Sequence, residues 1–244
     1  MGTTIAQTYS KEELKRSLEL SQVAYCGISE YLTHSFSGTI ADFQVTKVIY
    51  NKSHDAEGFV GFLPSQKSIY VSFRGSESFS NWYDNLDALK TKYTTYPECE
   101  KCNVHSGFYS ATLSVSPDVI AEVSRLKALY PNYQVKTTGH SLGGAMAHLI
   151  AMELIKVGFQ TTMINFGQPR VGDDAYAAFA NVKFPNHFRV IHDRDIVPHQ
   201  PTYAWPINYL HTRYEIFEDA AGNLKLCDES GEDKTCADQY SPIS

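Results

Sequence analysis

No run of apolar residues in this chain approaches the roughly 18 needed to cross a bilayer as a helix. Basic residues are in the minority as well: 21 Lys and Arg against 27 Asp and Glu leave a formal charge of −6. That sign argues against a nucleic-acid or anionic-membrane partner, which would require a basic surface. Internal repeats, low-complexity tracts and linker-like shifts in composition are missing too, so the 244 residues read as a single domain, 1–244, with a sizeable buried core. The amino terminus, Met1-Gly2-Thr3-Thr4-Ile5-Ala6, has neither a secretory h-region nor a myristoylation pattern.

Cysteine is scarce, with five in all. Cys99 and Cys102 lie close together in a loop-like stretch, and Cys227 and Cys236 bracket a short acidic loop, so Cys99–Cys102 and Cys227–Cys236 are the expected disulfides. The competing readings, a redox Cys-x-x-Cys or half a zinc site, would need a strand-to-helix setting or a second ligand pair. Neither is evident, and no metal is expected. Cys26 is left over. Disulfides imply an oxidising compartment, and the Asn51-Lys52-Ser53 sequon fits one. The expectation is a secreted chain whose leader has been removed.

Local patterns place the elements. Ser10-Lys11-Glu12-Glu13 is a capping box, which starts a helix at residue 11. Residues 45–50, 58–63 and 68–73 read as strands. Ser116-Pro117-Asp118 reads as a helix start, with Ser116 as cap. A strand over 133–138 then leads to a helix ending near Val157, followed by strands at 162–166, 187–192 and 209–217, with a short helix over 176–180. Strands alternating with helices from residue 117 onward point to an α/β fold, a parallel sheet covered on both faces.

Gly139-His140-Ser141-Leu142-Gly143-Gly144 lies between the strand and the helix and has the form G-x-S-x-G. Such a turn strains the serine and exposes its hydroxyl at the carboxyl end of the sheet. Glycines at 139 and 143 allow strand and helix to approach. Serine needs a base, and the base needs an acid to orient it. The loop after 187–192 offers Asp193 and Asp195; Asp195 is preferred because Ile196-Val197-Pro198 would pin it inward. Oxyanion donors are expected from Leu142 and from Ser76, which follows the strand at 68–73. Beyond it, Phe79, Trp82, Leu86 and Leu89 recur at helical spacing. That stripe reads either as core packing or as a short helical lid over an active site.

These motifs, together with Val71-Ser72-Phe73-Arg74-Gly75-Ser76, Val104-His105-Ser106-Gly107-Phe108, Phe166 to Gly172 and Asp195-Ile196-Val197-Pro198, resemble those of the fungal-type class 3 lipases in their family order. The resemblance implies an α/β-hydrolase fold with a mostly parallel central sheet. It implies secreted ester hydrolysis of acylglycerols at an oil–water interface through a serine acyl-enzyme, by a monomer without cofactor. It makes Ser141 the nucleophile, Asp195 the acid, Ser76 and Leu142 the oxyanion residues, Trp82 a lid residue on the stripe that also holds Phe79 and Leu86, and His105 structural. A feruloyl-type or other soluble carboxylesterase, a phospholipase, and a lipid-binding protein without turnover are the alternatives. One part of the pattern is missing. The family's catalytic histidine lies in a carboxyl-terminal segment, and no histidine follows His211 here. The family's partner for Cys26 lies beyond that histidine. Both absences lead to the expectation that a final segment is lacking, with His211 as the fallback base.

Overall fold

The structure, a computed structural model, describes residues 9–76 and 89–240. Helix α1 (Lys11–Val23) starts where the capping box places it, with Ser10 Oγ accepting the Glu13 N–H. Strands β1 (Gln44–Asn51), β2 (Ala56–Leu63) and β3 (Ser68–Phe73) form an antiparallel meander. Short strands β4 (Lys90–Lys92) and β5 (Asn103–His105) precede α2 (Ser106–Leu129). Then follow β6 (Gln134–His140), α3 (Leu142–Lys156), β7 (Thr161–Phe166), β8 (Gly172–Asp173), α4 (Asp174–Lys183) and β9 (His187–His192). The two-residue β10 (Tyr209–Leu210), β11 (Glu215–Glu218) and β12 (Leu224–Leu226) complete the strands.

The main sheet has the order β1-β2-β3-β6-β7-β9-β11-β12. Its centre, from β3 to β11, is parallel. This is the mostly parallel, doubly covered sheet of an α/β-hydrolase. Alternation along β3 shows how the two faces are filled. Ile69, Val71 and Phe73 join the large core beneath α2 and α3, while Tyr70 packs with Leu20 and Val23 of α1. Polar contacts tie α1 down as well: Ser72 Oγ donates to the Leu20 carbonyl, and Thr138 Oγ1 lies 2.8 Å from Ser21 Oγ. A second sheet, β10-β8-β5-β4, was not anticipated, because strands of two or three residues carry no readable periodicity.

Two expectations are corrected. Ser116 is no cap: α2 begins ten residues earlier, capped by His105, whose Nδ1 accepts the Phe108 N–H at 3.3 Å. Pro117 sits inside the helix. Its missing N–H orphans the Leu113 carbonyl, but Leu113 and Pro117 are both exposed, so water can satisfy that group. The expected strand over 209–217 is two strands in two different sheets. Tyr214 separates them with φ +66°, a left-handed conformation that breaks a continuous strand. Both expected disulfides are present, with Cα–Cα separations of 5.4 Å for Cys99–Cys102 and 6.2 Å for Cys227–Cys236. Glu215 lies beside the second pair, but those sulfurs are bonded to each other and offer no thiolate to a metal. Among the described residues, no helix is long and apolar enough to cross a membrane.

Candidate active site

β6 runs straight into α3 with one residue, Ser141, at the turn. Its backbone has φ +55° and ψ −126°, a conformation that costs an L-residue about 1–3 kcal/mol and persists only where the surroundings enforce it. Those surroundings are tight. A Cβ at position 143 would stand 2.3 Å from the Phe73 carbonyl oxygen, and one at position 139 would stand 2.3 Å from the Gly143 carbonyl oxygen. Only glycine lets the strand, the helix and the end of β3 come together here. The turn puts Ser141 at the α3 N-terminus, where helix N–H groups lack intrahelical partners and the dipole favours negative charge. Leu142 is the first residue of α3, so its N–H has no acceptor four residues back.

The hydroxyl was expected to be exposed; instead Ser141 is 2% exposed. It lines a cavity of about 500 Å³ walled by Leu18, Ser21, Gln22, Tyr25, Ser76 and His140. The first four belong to α1 and the chain just after it. Ser141 Oγ is buried there without a hydrogen-bond partner among the described residues. Ser76 thus lines the same cavity as Ser141.

Asp193 and Asp195 line a second cavity of about 600 Å³ together with His140, His192, Arg194 and Val197. Asp193 sits at a tight bend with φ +42°. Asp195 is held by its own loop, with Oδ1 accepting the Val197 N–H at 3.0 Å. Its Oδ2 turns back toward Gly167 and lies 2.7 Å from where a Cβ on that glycine would stand; His140 Nε2 lies 3.4 Å from the same point. His140 thus borders both cavities, its Nδ1 2.7 Å from the Tyr25 hydroxyl. Burial lowers its pKa against the opposing pull of Asp195, so the ring is neutral near pH 7.

None of the remaining histidines serves Ser141. His211 is buried, with Nε2 bonded to the Pro198 carbonyl at 2.7 Å, and burial pushes its pKa well down. His199 faces Asp238, His192 faces Glu218, and His187 Nδ1 bonds the Phe184 carbonyl. His148 is enclosed among Tyr176, Phe184 and His187. His105 caps α2, while His54 lies on the exposed β1–β2 turn beside Asn51 and His34 lies against Phe36. The fallback base His211 is therefore not brought to Ser141. Cys26 has no disulfide partner among the described residues. The lid stripe Phe79, Trp82 and Leu86 lies outside the described residues. Leu18, Gln22, Tyr25 and His140 had not been singled out; Tyr25 and His140 are 115 residues apart, and no local pattern pairs them.

Residues 70–205 match the family "Lipase (class 3)". The chain belongs to the class 3 lipase family. It is 32% identical over 208 residues to a lipase of Rhizomucor miehei, covering 83% of this chain and 56% of that protein. It is 31% identical over 228 residues to the secreted mono- and diacylglycerol lipase 1 of Fusarium solani, covering 86% of this chain and 67% of that protein. It also superposes on a triacylglycerol lipase whose catalytic centre is described as a serine protease triad, with a TM-score of 0.87 and 28% identity over 98% of this chain and 93% of that one. The class 3 lipase match includes most of β3, Ser76, the elbow and the Asp195 loop, but not the α1 residues that line the Ser141 cavity.

Proposed function

We propose that this class 3 lipase chain is a secreted serine ester hydrolase that cleaves acylglycerols at an oil–water interface through an acyl-enzyme on Ser141. The observation that carries this reading is the strained Ser141 at a helix N-terminus, its Oγ buried without a partner in a cavity that Ser76 also lines. Attack by Oγ on an ester carbonyl would throw negative charge onto the carbonyl oxygen. The Leu142 N–H and the Ser76 N–H or hydroxyl would receive it. Asp195 would orient the base. Ser141 Oγ has no hydrogen-bond partner among the described residues, a histidine included, so the base is proposed to arrive on a segment outside them, which would also bring a partner for Cys26. Phe79, Trp82 and Leu86 are proposed to form the apolar cover that turns toward lipid, and the protein is proposed to act as a monomer without cofactor.

The test is hydrolysis of emulsified long-chain triacylglycerol and of a soluble ferulate ester by a chain continued past residue 244. The expected result is turnover of the emulsion, lost on Ser141→Ala and reduced by several orders of magnitude on Asp195→Asn. Turnover of the ferulate alone would overturn the lipase reading. Equal turnover by residues 1–244 would overturn the proposed origin of the base. Secretion has a separate readout. Asn51 and the exposed residues that follow it form the β1–β2 turn, and a chain expressed through a eukaryotic secretory pathway should carry glycosidase-removable mass there that Asn51→Gln abolishes.

A further inference from the structure

We propose that Tyr25 is a positioning residue for the Ser141 chemistry: its hydroxyl clamps the loop carrying Ser76 to the elbow carrying Ser141 and Leu142. This rests on the ester-hydrolase reading above, but it makes a structural claim that can be tested separately. The two oxyanion donors belong to segments far apart in sequence, and their usefulness depends on a fixed mutual distance, because an error of about 1 Å can cost about 100-fold in rate. Something must hold the segments in register at the cavity.

Tyr25 sits at that junction. Its ring is partly exposed and forms a cavity wall, while its hydroxyl turns inward. Oη lies 2.7 Å from His140 Nδ1 and stands directly against the Gly75 backbone. The residues it holds therefore flank the machinery directly: Gly75 precedes Ser76, and His140 precedes Ser141. A Cβ on residue 75 would stand 2.2 Å from Tyr25 Oη, 2.8 Å from the His140 carbonyl oxygen and 3.2 Å from Ser141 Cβ. The loop is thus wedged between the phenol and the elbow, and position 75 must be glycine for the clamp to close.

Neutral imidazole has a single N–H, and its tautomer sets which way the Tyr25–His140 hydrogen bond runs. The other ring nitrogen, Nε2, shares the Gly167 position with Asp195 Oδ2. One chain of polar contacts runs from the oxyanion loop through the phenol and the elbow imidazole toward the acid loop. The bland alternative is that Tyr25 is merely cavity wall, touching substrate through its ring.

Tyr25→Phe separates the two roles, since it keeps the ring and removes only the hydroxyl. On a soluble short-chain ester, in a chain that turns over, the expected result is a fall in kcat of about tenfold to a hundredfold with KM within about twofold. His140→Asn, which keeps an acceptor near the Nδ1 position, should retain more activity than His140→Leu. An unchanged kcat, or a rise in KM alone, would overturn the clamp. Nuclear magnetic resonance gives the readout that needs no turnover: Tyr25→Phe should shift the Gly75 amide and the His140 Nδ1 resonances. Unmoved resonances would overturn the proposal even in an active enzyme. If the wild-type chain hydrolyses no ester, the resonances still decide the clamp while the function reading alone fails.

Discussion

Acid should destabilise this fold through its interior histidines. Burial pushes His187 down to about 4 from its ordinary 6.5, and it holds His148 and His211 well below that value. Below pH 6.5 the unfolded chain takes up a proton at each of these positions and the native fold does not. The unfolded state then binds more protons, so stability falls as pH falls. From pH 7.5 to 5.5 each such histidine removes about 1.4 kcal/mol, or about 4 kcal/mol for the three. The carboxylates divide into two groups. At Asp238 the upward push of burial is overcome by hydrogen bonds from His199 and Lys234, which bring it down to about 2, so its contribution is lost only below its ordinary 3.8. Glu153 and Glu215, raised by burial, act in the opposite sense, gaining stability as the pH falls toward 4.5. Urea unfolding at pH 7.5 and 5.5 measures the difference, which should appear as a lower midpoint with an unchanged m-value. His148→Leu sharpens the test. Neither ring nitrogen of His148 has a partner among the described residues, so the variant should remove about a third of the pH effect. It should also add about 1–3 kcal/mol at both pH values by relieving a buried unsatisfied group. A midpoint that does not move between the two pH values would refute the reasoning, as would a His148→Leu variant that is less stable at both.

Other substitutions probe the rest of the frame. Gly143→Ala should abolish labelling of Ser141 by an organophosphonate in a chain that otherwise reacts, because its Cβ would overlap the Phe73 carbonyl. His105→Ala should cost about 1 kcal/mol, by thermal or urea unfolding, for loss of the α2 cap. Opening Cys227–Cys236 by a double Cys→Ser change should cost about 2–3 kcal/mol on the chain-entropy account. Arg189→Met should cost about 3–5 kcal/mol, because it strands Glu215, which lies 3.5 Å from the guanidinium in a fully buried setting.

What could be read in advance divides along a physical line. Ser10 capping α1, the glycines around Ser141 and the bounds of β3 depend on neighbours within a few residues, and the amino-acid pattern carries all of them. Where a second, distant segment decides the outcome, local reading fails. Ser116-Pro117 has every local mark of a helix start, yet Phe108, Ala111 and Val115 bury against the core and extend the helix through it. Residues 209–217 have strand composition throughout, but β10 pairs with β8 and β11 with β9, so one run is divided between two sheets at Tyr214. The candidate site divides in the same way. Ser141, Asp195 and Ser76 follow from motif and strand order, whereas the cover supplied by α1 follows from packing alone. Ser141, expected in the open, is 2% exposed. An elbow can present a hydroxyl at the end of a sheet, but how accessible that hydroxyl is depends on what lies across the mouth. Among the described residues, Leu18, Gln22 and Tyr25 from the other end of the chain line the cavity of Ser141. Leu18→Trp should slow phosphonate labelling of Ser141 in a chain that reacts, while leaving the unfolding midpoint nearly unchanged, since Leu18 is 40% exposed and contributes little to the core. Labelling at the wild-type rate would mean that substrate reaches the serine by another path.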